Sequence, residues 1–435
     1  MDLLPDDVLA DVLDGLTPCS LAACRSVCKA WRAVIDAHCL LRKDLLPLTM
    51  AGIYVVYDFV HGGTPTFFSR PSIGVGDKTI QGNLGYLNAI RDGWSHIRDH
   101  CNGLILLDEG VVNPATRQWA RLPPYPARVW IEGGFYQDEF LAFDPMVSPH
   151  FDVLLVHCVL DRYPDPTKLD SSGWPPSPFV TSAFSSKTWR WEERSFVREG
   201  MAVRSVAEVE PFLPNVYHND AVYWRGRLYV YQIYFIIRLS LEENKYRVIR
   251  LPPMNEACGG IEPHLGKSKK GVYYGFVHGW CKLQMWFLNE SNIDTEWNLE
   301  REVDLTPSLA NFPWRHGDGS WSVQGVNHET PEKEGPEWDS DNEDGTVATT
   351  ATEVSVPKEF RGDIYILGFH PYKEIVFLHT WSTRVMAYHL NSSMLEDLGC
   401  LPLDGDDEIW SSWAYTPCWM ENCVSANNFE ANIER

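Results

Sequence analysis

Five side chains able to bind a soft metal ion fall within the first 40 residues: Cys19, Cys24, Cys28, His38 and Cys39. Structural zinc is held by closely spaced Cys-Cys and His-His pairs delivered from loops that converge on one point. Here Cys24 and Cys28 share one helix face, where thiols stand in for aliphatic residues, so the sequence predicts no metal site. Five histidines (His100, His157, His278, His370 and His379) lie on apolar, strand-like segments. A lone His at a strand end is usually satisfied or solvent-facing, and no spacing here picks out an acid–base pair. There is no Gly-x-Ser-x-Gly elbow, phosphate-cradling loop or His-Glu-x-x-His helix, and Gly74-Val75-Gly76 lacks the third Gly of a dinucleotide fingerprint. The acidic run at residues 329–344 lacks the alternating ligands and central Gly of a calcium loop. The chemistry-bearing residues thus predict no catalytic residue and no cofactor, and point away from an enzyme.

The chain bounds the alternatives further. Of its 435 residues 44% are hydrophobic and 22% charged, as in a soluble, well-cored protein. Aromatic residues make up 13%, including 18 Trp, beside 31 Gly and 29 Pro, which predicts many short strands joined by tight turns. Net charge is −22, and the cluster Lys267, Lys269 and Lys270 does not extend into a basic face, so nucleic acid is excluded as a partner class. The opening Met1-Asp2-Leu3-Leu4-Pro5-Asp6-Asp7 is no secretory leader, and no apolar run reaches membrane-spanning length. A soluble protein of the cytoplasm or nucleus is expected. There its 11 Cys stay reduced and the sequons at Asn289 and Asn391 go unused.

The elements that must position these side chains come in two kinds. Val8, Leu9, Val12, Leu13 and Leu16 form one stripe of an amphipathic helix, opened by Pro5 with Asp6 and Asp7 at its positive end and stopped near Gly15. Leu21, Cys24, Val27, Cys28, Trp31, Val34 and Ile35 continue at helical spacing after Thr17-Pro18. Two or three short helices over about forty residues cannot bury their own stripes, so a partner helix or groove is implied. Leu4-Pro5-Asp6-Asp7-Val8-Leu9, followed by Leu21-Ala22-Ala23-Cys24-Arg25-Ser26-Val27-Cys28-Lys29-Ala30-Trp31-Arg32, resembles an F-box. That resemblance implies a three-helix domain over residues 1–46 that docks on a Skp-type adaptor and, through it, a cullin. Leu4, Pro5, Leu9, Leu13, Leu21, Cys24, Val27, Cys28 and Trp31 are the positions carried over to that surface.

After residue 50 the pattern alternates, and one unit keeps returning: an apolar strand, a polar turn, then a strand with an aromatic residue. It is read at 104–119, 180–191, 235–249, 283–297 and 385–398, each preceded by another hairpin, as at 221–230 and 364–378. Two hairpins per unit describe four-stranded blades of a kelch-type β-propeller over residues 50–425, mainly β in class. A sixth blade would close the ring from Trp413-Ala414-Tyr415-Thr416 and the strand at 53–57. Cys101-Asn102-Gly103-Leu104 and Asn113-Pro114-Ala115-Thr116-Arg117-Gln118-Trp119 resemble the F-box-associated region of plant F-box proteins. Residues 327–359 interrupt the rhythm with like charge and little apolar content, which predicts a disordered insertion.

The resemblance implies a substrate-recognition subunit of a Skp-cullin-F-box ubiquitin ligase, non-catalytic itself, with a target protein captured by the β domain. Arg128, Trp130, Tyr136, Trp174 and Trp280 are the candidate target contacts, being the aromatic and Arg types that dominate interfaces. The alternatives are a ligase-independent F-box scaffold and a propeller enzyme or sugar-binding protein.

Overall fold

The apolar runs become the buried middle strands of antiparallel sheets set in a ring. The computed structural model describes residues 5–14, 24, 28–38, 50–57, 65–70, 82, 84–87, 96–126, 135–159, 175–200, 220–232, 235–253, 263–279, 281–290, 295–310, 319–324, 364–380, 383–401, 409–420 and 423–424. Five meanders of four strands follow one another: blade 1 at residues 97–121, blade 2 at 135–199, blade 3 at 221–250, blade 4 at 264–304 and blade 5 at 364–400. A sixth sheet is assembled from distant pieces in the order Ser322–Val323, Thr66–Ser69, Gly52–Tyr57, Ile409–Tyr415. This blade 6 pairs Ile53 with Ala414 and Val55 with Ser412, the closure expected from the two ends of the β region. Its outer strand was not legible in sequence: it comes from the passage between blades 4 and 5.

First strands touch from blade to blade, and a separate apolar cluster fills each gap in turn. Blades 1 and 2 share Leu104, Leu141, Val153 and Phe184; blades 2 and 3 share Phe140, Leu154, Leu228 and Ile237. Blades 3 and 4 share Tyr229, Ile236, Tyr274 and Phe276; blades 4 and 5 share Leu283, Met285, Val376 and Met386. Blades 5 and 6 share Phe377, Val385, Ile53 and Phe68, and blades 6 and 1 share Tyr54, Tyr415, Ile105 and Val112. Six gaps filled in sequence close a six-bladed β-propeller. Because both faces of a blade are covered, the middle strands Leu104–Leu107, Phe235–Ser240 and Ile375–Thr380 are buried at every position. The outer strand Thr295–Asp304 is largely exposed and carries four acidic residues, Glu296, Glu300, Glu302 and Asp304, which discourage edge-to-edge pairing. The outer strands of blades 2 and 3 solve the same problem differently: they zip in parallel, Val197 to Lys245 and Glu199 to Arg247.

The repeating turn has a physical signature. In blades 1, 2, 3 and 5 the third and fourth strands are joined by a four-residue loop whose last residue is left-handed: Arg117, Trp189, Asn244 and Ser393, with φ of 56°, 58°, 52° and 57°. First-to-second turns at Asn102-Gly103 and Arg225-Gly226 place two successive residues at positive φ, the two-residue geometry that matches strand twist.

Polar contacts tie the blades as well. Ser412 Oγ of blade 6 donates to the Leu367 carbonyl of blade 5 at 2.7 Å. Removing that hydroxyl in Ser412→Ala leaves a buried carbonyl without its donor, and urea unfolding is expected to give a loss of about 1 kcal/mol.

Two helices are described at the N-terminus, α1 (Asp6–Asp14) and α2 (Lys29–Ala37), with Cys24 also helical between them. Ala10 and Leu13 of α1 and Val34 and Ile35 of α2 are buried in the cluster that fills the gap between blades 1 and 2. Part of the outside surface that the short helices need is therefore the chain's own. The acidic insertion at 327–359 lies outside the described residues.

Candidate functional site

The two ends of the ring are unlike. First-to-second and third-to-fourth hairpins share one end, where Leu241 N–H donates to the Gly226 carbonyl at 3.1 Å and Leu390 N–H to the Glu374 carbonyl at 2.8 Å. The strand after the N-terminal helices enters at this end, at Met50 to Gly52, and residues 416–420 leave from it. Second-to-third hairpins and blade-to-blade connections belong to the opposite end.

Helix α1 carries both a buried and an open face. Ala10 is 5% and Leu13 1% exposed, whereas Val8 and Val12 are 42% and 58% exposed. Leu9, Cys24 and Trp31 are half-buried and pack against the same cluster as Leu13. In α2 the first turn is capped by Cys28, whose Sγ accepts the Trp31 N–H at 3.4 Å, and Cys28 itself is exposed. Pro5 is exposed at the start of α1, its carbonyl accepting the Leu9 N–H at 3.0 Å. Leu4, Leu21 and Val27 lie outside the described residues. Of the positions carried over from the resemblance, Pro5 and Cys28 are open, Leu13 is buried, and Leu9, Cys24 and Trp31 sit between. Val8 and Val12, absent from that set, are the exposed large apolar side chains of α1.

Among the candidate target contacts, Tyr136 is half-buried at the start of blade 2, against the cluster between blades 2 and 3. Arg128, Trp130, Trp174 and Trp280 lie outside the described residues.

The channel between the first strands is tied off by polar contacts. Lys267 Nζ of blade 4 donates to Asn102 Oδ1 of blade 1 at 2.9 Å and to the Tyr223 carbonyl of blade 3 at 3.0 Å. His100 Nε2 lies 3.1 Å from the Ala414 carbonyl, and burial followed by the nearby Lys267 charge pushes its pKa down to about 3. Asp99 accepts the Leu141 N–H of blade 2 at 2.7 Å and the His100 N–H at 2.7 Å. Burial pushes the Asp99 carboxyl well up, the two backbone donors opposing it. His379, 4% exposed in blade 5, is pushed by burial down to about 4. Lys267, His100 and Asp99 thus link one blade to another. Among the described residues no group of three His, Cys, Asp or Glu is arranged around a metal position.

A family model described as the F-box domain matches residues 1–43. No curated protein matches the chain. Solved structures similar to it include the Dos1 propeller, 9% identical over 71% of this chain and 61% of that one, with a TM-score of 0.30. The β-propeller domain of Cps50 (Swd1) from Myceliophteria thermophila is 10% identical over 73% of this chain and 89% of that one, TM-score 0.31. The extracellular domain of BT4673 from B. thetaiotaomicron is 9% identical over 80% of this chain and 33% of that one, TM-score 0.32, so the chain spans about a third of that domain's length. The six-bladed ring stands on its own strand order and core clusters.

Proposed function

We propose that the chain is the substrate-recognition subunit of a Skp-cullin-F-box ubiquitin ligase. The observation that carries this reading is the F-box match over residues 1–43, supported by the open Val8 and Val12 face of α1. In this reading residues 1–46 form the adaptor-binding domain and residues 50–425 the receptor, a kelch-type propeller. It extends to the likeness of residues 101–119 to the associated region of plant F-box proteins, which the family model, ending at residue 43, does not reach. A target protein docks on the β domain, with Arg128, Trp130, Tyr136, Trp174 and Trp280 as the candidate contacts. The subunit contributes no chemistry of its own. It raises the effective concentration of target lysines at the ubiquitin donor and fixes their approach. A reducing compartment, cytoplasm or nucleus, suits this role and the free thiols.

Reconstitution with a Skp-type adaptor and a cullin tests the reading. The full chain is expected to co-purify with both, and a chain lacking residues 1–46 to lose both while keeping its β-sheet circular dichroism. Retention of the adaptor by the shortened chain overturns it.

A further inference from the structure

Two sequence motifs ten residues apart meet one distant segment. Gly103, with φ +90°, sits so close to Cys418 that a Cβ there would lie 2.5 Å from both the Cβ and the N of Cys418 and 2.9 Å from the Thr416 carbonyl. Asn113, fully buried, donates from Nδ2 to the Cys418 carbonyl at 2.9 Å and to Cys423 Sγ at 3.6 Å. Its Oδ1 meanwhile accepts the Ala115 N–H at 3.1 Å, holding its own turn. Cys423 Sγ donates to the Met420 carbonyl at 3.2 Å. Cys418, Met420, Cys423 and Val424 then belong to the same apolar cluster as Ala10, Leu13, Val34 and Ile35 of the two helices.

We infer that Asn113 and Gly103 form the socket of a strap, described at residues 416–420 and 423–424, and that this strap seats α1 and α2 on the propeller. Asn113 is then a positioning residue: it acts on the helices through the strap and touches neither adaptor nor target. The inference deepens the ligase reading, since a receptor that fixes target lysines relative to the adaptor needs its helices held at one angle. It also gives the Cys-Asn-Gly-Leu and Asn-Pro-Ala-Thr segments a shared task. The socket lies in blade 1, the first blade after the N-terminal helices, and the strap follows the last strand. Segments before and after the propeller strands thus meet in one cluster.

Hydrogen exchange on the full chain tests this with three variants: Asn113→Ala, a chain ending at residue 417, and the two combined. Loss of one buried hydrogen bond corresponds to about tenfold in an opening equilibrium. Asn113→Ala is expected to speed exchange of residues 418–420 and 423–424 and of helices 6–14 and 29–37 by about that factor, with blades 3 to 5 unchanged. The chain ending at 417 is expected to free the helices at least as much, and the combined variant to add nothing there, since Asn113 has then lost its contacts with the strap. Helices that keep their protection without the strap overturn the inference. So does a further tenfold effect of Asn113→Ala in the shortened chain, or faster exchange in blades 3 to 5. Pull-down with a Skp-type adaptor runs in parallel. A wild-type chain that fails to bind adaptor sinks the ligase reading, while the exchange pattern still decides the strap.

Discussion

A chain carrying Val8→Lys and Val12→Lys is expected to bind a Skp-type adaptor about a hundredfold more weakly than the parent, with its thermal unfolding unchanged. Both side chains already stand in solvent, 42% and 58% exposed, so the free protein loses no packing when they change. In a complex the remaining apolar area of each valine would be worth about 1 kcal/mol. Placing an ammonium there adds a desolvation cost, and together about 3 kcal/mol corresponds to two decades in the dissociation constant. Lysine is the choice because α1 already holds Asp6, Asp7, Asp11 and Asp14, so a further carboxylate would weaken the helix itself. Isothermal titration with purified adaptor reads the affinity, and differential scanning reads the fold. Unchanged affinity would remove this face from the interface. Leu13→Lys is the contrasting control: at 1% exposure it is expected to free the helices from the cluster with blades 1 and 2.

The outward side of α1 illustrates where sequence reasoning stops. Val8, Leu9, Val12 and Leu13 are all apolar, so the helical wheel gives one broad stripe and no preference within it. Tertiary packing chooses, and it chooses Ala10 and Leu13. The propeller was more legible because its signals are local. Third-to-fourth hairpins repeat a four-residue loop, and middle strands covered on both faces must read as unbroken apolar runs such as Leu104–Leu107. Features built from remote partners had no local pattern to find. The two-residue strand Ser322–Val323, the parallel zipper of 197–199 on 245–247, and the approach of Asn113 to Cys418, 305 residues away, are of this kind. The same holds for Asp99, which sequence leaves as an ordinary polar residue in a strand and which the ring makes an inter-blade acceptor.

Glu290→Ala is expected to cost about 3 kcal/mol or more of unfolding free energy, because it strands a buried cation between three blades. Glu290, at the end of the third strand of blade 4, accepts Arg238 Nη1 at 2.7 Å, Arg227 Nη1 at 2.6 Å and the Tyr229 hydroxyl at 2.8 Å. Arg238 reaches on to Glu199 of blade 2 at 3.1 Å. Side-chain exposure decides which partner suffers. Arg227 at 37% can return to water, whereas Arg238 at 7% keeps only Glu199. Replacing both members, Arg238→Met with Glu290→Met, is expected to cost less than Glu290→Ala alone, since no buried charge is left unpaired. The pH dependence has a definite sign. Burial raises the Glu290 pKa, but hydrogen bonds from Arg238 and Tyr229 and the Arg charges outweigh it and hold the carboxyl below its ordinary range. A depressed folded-state pKa means the contribution is complete above the unfolded value and is lost as pH falls through the folded one. Asp99, raised by burial, behaves oppositely: its contribution is complete in acid and is lost as pH rises through its raised value. Urea unfolding of parent and Glu290→Ala between about pH 2 and pH 8 is therefore expected to show a deficit that is constant near neutrality and narrows below the ordinary glutamate range. A deficit that widens in acid would mean that Glu290 is not the ionised hub of this network.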